Sequence, residues 1–187
     1  HYFGGTMKIH FWKLTGAGND FVLLAGLPKG KTAAALARAL CDRRFGVGAD
    51  GLLVMTRRGK KILLDYHNAD GSSAFCGNGS RCAAWCAYVS GLVKTVKFSL
   101  STIRGVLPVE IIGRETVKMR MPDVPAAALN YSGRYPAPIG KVHFLNTGVP
   151  HAVVPLADIG SIDVARLGRL LRYHKVFGPA GANVDFV

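Results

Sequence analysis

Apolar and polar positions alternate along this chain in a way that predicts short strands and three helices. Residues 8–14 are rich in aromatics and read as a strand, and residues 21–25, apolar at nearly every position, read as a second. The period then changes. Ala33, Leu36, Ala37, Leu40 and Cys41 recur at the spacing of a buried helical stripe, predicting a helix over 31–44. Arg43 and Arg44 suit its negative C-terminal end. Residues 52–56 and 61–67 read as paired strands, with Arg57, Arg58, Lys60 and Lys61 clustered at their turn. Further strands are expected at 93–101, 106–112, 116–121, 141–146, 152–155 and from 184 onward. A helix is expected over 162–172, with Ser161 or Asp163 as its N-cap. Glycine-rich loops, Thr15 to Asp20 and Phe45 to Gly51, separate the first elements. Residues 123–140 hold Pro125, Pro136 and Pro138 with little periodicity. They read as a crossing between an N-terminal half, 7–122, and a second half, 141–187.

The remaining helix belongs to the most informative stretch, Asn68 to Cys86. A polar turn, Asn68-Ala69-Asp70-Gly71-Ser72, leads to Cys76-Gly77-Asn78-Gly79 and then to an alanine-rich run over 80–90 that Gly91 ends. Cys82 and Cys86 lie four apart on one helix face, with Trp85 and Val89 expected on the same stripe, and read as small buried hydrophobes. Cys76 falls outside that period and just ahead of the helix, where backbone N–H groups are unpaired and the partial charge is positive. An anion such as a carboxylate can dock there, and a thiolate there can act as base or nucleophile.

Composition narrows the classes. With 187 residues, 49% of them hydrophobic, the chain can bury one large core or two small ones. No apolar run reaches membrane-spanning length and no secretory signal is visible. Residues 1–6 read as an expression remnant ahead of Met7. Four cysteines do not make a disulfide scaffold, and no zinc-type spacing joins them, so a reducing cytoplasm is the simplest setting. The net charge of +13 raises nucleic acid as a partner, but the basic residues are scattered and no nucleic-acid motif appears. The first glycine loop is not a dinucleotide fingerprint, because a strand follows it.

The chain also repeats itself. His10-Phe11, Thr15-Gly16 and an apolar strand are echoed by His143-Phe144, Thr147-Gly148 and Ala152-Val153-Val154. A helix follows in each case, and then Phe45-Gly46 or Phe177-Gly178. Gly148 lies 132 residues after Gly16, and Phe177 lies 132 after Phe45. On this spacing a counterpart of Cys76 would fall beyond Val187, so the second half reads as incomplete, with one base and no opposing half-site.

Thr15-Gly16-Ala17-Gly18-Asn19-Asp20-Phe21, Gly46-Val47-Gly48-Ala49-Asp50-Gly51, Asn68-Ala69-Asp70-Gly71-Ser72, Cys76-Gly77-Asn78-Gly79-Ser80-Arg81-Cys82, Thr147-Gly148-Val149-Pro150-His151 and Asn183-Val184 together resemble the diaminopimelate epimerase family. The resemblance implies an α+β fold of two pseudo-symmetric halves, each a curved, mostly antiparallel sheet wrapped around a central helix. It implies an isomerase that works without pyridoxal phosphate, other cofactor or metal. One cysteine thiolate removes the α-proton of LL-diaminopimelate, and a second thiol protonates the opposite face to give the meso form. It makes Cys76 catalytic, with His151 beside it. Gly77 and Asn78 would bind the α-carboxylate and amine, and Asn19, Asn68 and Asn183 the distal amino-acid group. It further implies a small-molecule substrate, a homodimer, and neither nucleic acid nor membrane as partner. Without the resemblance, His151 reads as a polar strand-end residue and Asn19 and Asn68 as Asx-turns. Gly51 and Val149 depart from the family pattern, in which many members carry Gln and Asn. A proline or hydroxyproline racemase on the same scaffold, and a non-catalytic basic binding module, are the competing expectations.

Overall fold

The computed structural model describes residues 8–59 and 61–187. The segment 1–6, Met7 and Lys60 lie outside the described residues. The chain forms two compact units, one up to Met121 and the other from Pro122 to Val187.

The first unit runs β1 (Trp12–Gly16), β2 (Asn19–Leu24), α1 (Ala33–Leu40), β3 (Gly51–Arg58), β4 (Lys61–Asn68), β5 (Ser73–Ala74), α2 (Gly77–Val89), β6 (Lys97–Thr102), β7 (Gly105–Ile111) and β8 (Val117–Met119). The sheet order is β1-β2-β3-β4-β6-β7-β8, with β5 attached to β4. The pairs β2–β3 and β4–β6 are parallel, and the others antiparallel. β2 and β3 are apolar at successive positions because both their faces are covered. Phe21, Leu23, Leu53 and Met55 pack with Ala83, Ala84 and Cys86 of α2. The alternate residues Val22, Leu24, Leu52 and Val54 pack with Leu36 and Ala37 of α1 and with Cys41, which caps its C-terminus.

α2 touches β1, β2, β3, β4, β7 and β8, so the sheet curls around it. Its small side chains make that approach possible. A Cβ at Gly79 would already lie 3.0 Å from Leu53 Cδ2.

Local chemistry moves several boundaries from those the periodicity predicts. The first glycine loop is mostly strand: Gly16 pairs with Asn19, leaving Ala17 and Gly18 as a two-residue hairpin turn with φ of 50° and 86°. Positive φ at both turn residues matches the twist of the flanking strands. α1 is shorter than 31–44. Thr32 caps its start, and Asp42 Oδ1 accepts the N–H groups of Arg44 and Phe45, folding the chain into a turn. α2 begins at Gly77, earlier than 80, because Cys76 itself is the N-cap. Val89 is exposed, and Trp85 is half-buried with its indole N–H donated to Arg114 O, so neither belongs to the buried stripe of Cys82 and Cys86.

The second unit runs β9 (His143–Asn146), β10 (Pro150–Val154), α3 (Val164–Arg172) and β11 (Asn183–Phe186), in sheet order β11-β10-β9. Asp163 is the N-cap of α3. Ile139, Val142, Ala152, Val154, Leu167, Leu171 and Ala182 form its core. Within the proline-bearing segment, Ala128 bridges to Phe144 and Tyr131 stacks on Phe144 and Phe177.

The sequence repeat is a repeat of topology. β9, β10, α3 and β11 follow the same hairpin, helix and parallel-strand path as β1, β2, α1 and β3. β2 enters its parallel pairing at Phe21↔Gly51, and β10 enters at His151↔Asn183. By this pairing Gly51 and Asn183, 132 residues apart, stand at equivalent places, as do Phe21 and His151, 130 apart.

Candidate active site

In the first unit, the start of α2 meets the starts of β2 and β3. Cys76 caps the helix in extended conformation, φ −134° and ψ 113°, and its Sγ accepts the Gly79 N–H at 3.3 Å. The Ser80 N–H goes to Cys76 O at 2.9 Å. The N–H groups of Gly77 and Asn78, in the first turn, have no intrahelical acceptor. The half-buried Cys76 thiol thus stands beside two open donors at the positive end of a helix.

Asn78 reaches across to β2, where its Nδ2 donates to Asn19 Oδ1 at 2.8 Å. Asn19 Nδ2 in turn donates to Asp50 Oδ2 at 2.9 Å, and Arg81 donates to Asn78 Oδ1. Asp50 and Asp20 form an acidic pair braced by cations. Arg43 bridges both, at 2.8 Å to Asp20 and 2.9 Å to Asp50, and Lys13 bonds Asp20 at 2.7 Å. Arg43 and then Lys13 hold the Asp20 carboxyl well below the usual carboxylate range. Arg43 was expected at the C-terminal end of α1; instead it ties the two glycine loops together.

Asn68 stands on β4 next to Tyr66, whose hydroxyl donates to Asn68 Oδ1 at 3.0 Å. Asn68 Nδ2 donates to Ser72 Oγ at 3.0 Å. The Tyr66 ring also accounts for Gly51. A Cβ there would lie 2.3 Å from Tyr66 Cε2 and 2.6 Å from its hydroxyl oxygen. Burial pushes the Tyr66 phenol up, and the nearby Cys76 adds to this.

The other three cysteines are buried. Burial raises the thiols of Cys41 and Cys82, and pushes that of Cys86 up to about 11. They remain neutral thiols at ordinary pH, whereas Cys76 alone faces the first-turn donors of α2.

In the second unit, His151 and Asn183 are register neighbours on β10 and β11. His151 Nδ1 lies 2.8 Å from Asp185 Oδ2, and Arg172 donates to Asn183 Oδ1 at 3.3 Å. Cys76, Gly77, Asn78 and Asn19 thus form one connected group, and His151 and Asn183 another. Among the described residues, no cluster of three or more potential ligands is arranged to hold a metal ion.

Residues 11–125 match the family model described as diaminopimelate epimerase. A relative named diaminopimelate epimerase, from Aquifex aeolicus (strain VF5), is 38% identical over 96% of this chain and 68% of its own length. The chain belongs to the diaminopimelate epimerase family. Solved structures share its fold at low identity. One, described as a predicted epimerase from Pseudomonas aeruginosa, matches with a TM-score of 0.62 and 12% identity over 96% of this chain and 70% of that one. A hydroxyproline epimerase from Agrobacterium vitis matches with a TM-score of 0.53 and 15% identity over 87% of this chain and 55% of that one. At such identity these two speak for the fold alone, and the family assignment rests on the closer sequence relatives.

Sequence reading assigned no site role to Asp50, Arg43, Arg81, Tyr66 or Asp185. Each contacts a family-motif residue. Asp50 and Arg81 sit inside the quoted motifs, so their signal was present; only their partners were not.

Proposed function

We propose that this chain interconverts LL- and meso-2,6-diaminopimelate without a cofactor, in lysine and peptidoglycan precursor synthesis. The observation that carries the reading is Cys76 at the N-cap of α2, with the Gly77 and Asn78 N–H groups open beside its sulfur. An α-carboxylate bound on those donors brings Cα within reach of the thiolate. As the thiolate takes the α-proton, negative charge spreads onto the carboxylate, where the same preorganised donors stabilise it. Inversion is complete when an acid on the opposite face returns a proton to Cα. Family resemblance gives that acid as a second thiol. Cys41, Cys82 and Cys86 are buried, so the reading assigns none of them to this role.

Asn19, Asn68 and Asn183 would hold the distal amino-acid group, and His151, oriented by Asp185, would tune the cysteine chemistry. The asparagines favour a second amino-acid head over the plain ring of proline. The same reading takes the assembly as a homodimer and the setting as the cytoplasm, in keeping with four free thiols.

The test is incubation with LL- and meso-diaminopimelate in D₂O, with trans-4-hydroxy-L-proline in parallel. Deuterium should enter the α-position of diaminopimelate with Cys76 as the base and should vanish in Cys76→Ala; loss of configuration accompanies it only where an acid stands on the opposite face of Cα. Exchange confined to hydroxyproline would overturn the substrate assignment.

A further inference from the structure

Asp50, Asn19, Asn78 and Arg81 are joined by an unbroken series of three side-chain hydrogen bonds. Its ends differ in kind. An ionised carboxylate only accepts, and a guanidinium only donates. Flipping the Asn19 amide would aim its oxygen at the Asp50 carboxylate. Flipping the Asn78 amide would aim its NH₂ at the Arg81 guanidinium. Both contacts are repulsive, so a single orientation of each amide satisfies all three bonds. We propose that Asp50 is a positioning residue which, with Arg81 at the far end, fixes the donor–acceptor polarity of the two amides beside Cys76.

The consequence concerns recognition of an α-amino-acid head. Each primary amide offers two N–H donors and two lone pairs. The series uses one of each on Asn19 and one of each on Asn78. What remains is one donor and one acceptor on each amide, at set places. An ammonium group requires the acceptors and a carboxylate requires the donors, so fixing the polarity fixes which way round the head is held. Free rotation of either amide would mix the two arrangements.

The anchor is itself held. Arg43 bonds Asp50 Oδ1 at 2.9 Å, and the Asp20 backbone N–H reaches Asp50 Oδ2 at 3.2 Å. The Asp50 N–H returns to Asp20 Oδ1 at 3.0 Å. These bonds all lie within the first unit, across the starts of β2, β3 and α2. No hydrogen bond or ion pair joins Asp50 directly to Arg81 among the described residues.

This inference rests on the proposed epimerase reading, and a double-mutant cycle tests it. Asp50→Asn, Arg81→Met and the double variant are compared in the whole chain by KM and kcat for diaminopimelate. The side-chain amide NMR signals of Asn19 and Asn78 are followed without substrate. Each single change should raise KM about tenfold while kcat stays within about threefold, the size of a lost hydrogen bond to a charged group. The double variant should be scarcely worse than the poorer single, because the series is already broken. The Asn78 amide signals should move in Asp50→Asn, although Asp50 does not touch Asn78. Additive KM effects with unmoved Asn78 signals would overturn the proposal. If Asp50→Asn fails to fold, Arg81→Met decides through the Asn19 signals, which must then shift. If the unaltered chain turns over no diaminopimelate, the epimerase reading fails while the amide signals still decide the series.

Discussion

A methyl group at Gly51 would fall 2.6 Å from both the Tyr66 hydroxyl oxygen and His67 O. Backbone cannot move aside as a flexible side chain can, so Gly51→Ala should lower stability by about 1–3 kcal/mol, the range for overpacking. Denaturant melts of Gly51→Ala, Tyr66→Ala and the double variant would check this; the double variant should lose less than the sum of the two singles, because Tyr66→Ala removes the ring from the clash and leaves only that with His67 O. Cys76 makes the opposite prediction. Cys76→Ala should abolish turnover and leave the fold intact, lowering the melting temperature only by the few degrees that loss of the N-cap acceptor costs. Iodoacetamide at pH 8 should label Cys76 first, with Cys41, Cys82 and Cys86 protected by burial; peptide mass mapping that found equal labelling would contradict the geometry. At this scale the sequence was informative where chemistry and motif coincide. Cys76 could be singled out because a helix start follows it, whereas Asn78 and Asn19 could be named only because the motifs that hold them resemble the family's. Arg43, Asp50 and Tyr66 could not be placed, because their partners lie at the ends of different strands and only the folded sheet brings those ends together.

α2 is the element that the first unit is built around, and it carries two thiols in the core. Cys82→Ala and Cys86→Ala should each cost about 1–2 kcal/mol, the usual price of trimming a small buried side chain. Cys86 also predicts a response to alkali. Burial pushes its thiol up to about 11, above the ordinary thiol range, so the folded state holds this proton more tightly than the unfolded chain. The stability it contributes is therefore full below pH 9 and is lost as pH rises toward 11. Melting temperature should fall across that window, and fall less steeply in Cys86→Ala; parallel curves would argue against the burial effect. The elements themselves were legible from period: β2, β3 and β4 from apolar runs and alternation, and α2 from alanine content and Gly91. Boundaries shifted where a side chain or a turn decided them. Asp42 closed α1 early, Cys76 opened α2 early, and Ala17-Gly18 turned a presumed loop into a hairpin. Period cannot report these, because each depends on one polar group bonding a few residues away.

On the scale of the whole molecule, the repeat was visible as paired motifs at a spacing of 132, and the structure gives it physical form as two parallel strand pairings, Phe21↔Gly51 and His151↔Asn183, whose members are offset by 130 and 132 residues. The two units nevertheless differ in how their sheets are covered. In the first, Phe21, Val22, Leu23 and Leu24 of β2 are all at most 1% exposed, because α1 and α2 lie on opposite faces. In the second, Ala152 and Val154 of β10 are buried against α3, while His151 and Val153, which alternate with them, are only half-buried. The core of the second unit shares no residue with the clusters of the first. A unit of this size, with a core of few residues, stores little stability of its own, since surface grows relative to core as a domain shrinks. Opening should then be uneven, with the less protected region lowest in free energy. Hydrogen exchange read by mass spectrometry on the 187-residue chain tests this. Amides of β10 and β11 should exchange at least about tenfold faster than those of β2 and β3, a difference of roughly 1.4 kcal/mol or more in opening free energy. Adding diaminopimelate should slow exchange in α2's first turn, where Gly77 and Asn78 offer their N–H groups, and should slow β10 as well if His151 and Asn183 take part in binding. Equal protection in both units without ligand would mean that the two cores unfold as one, and the argument from separate coverage would fail.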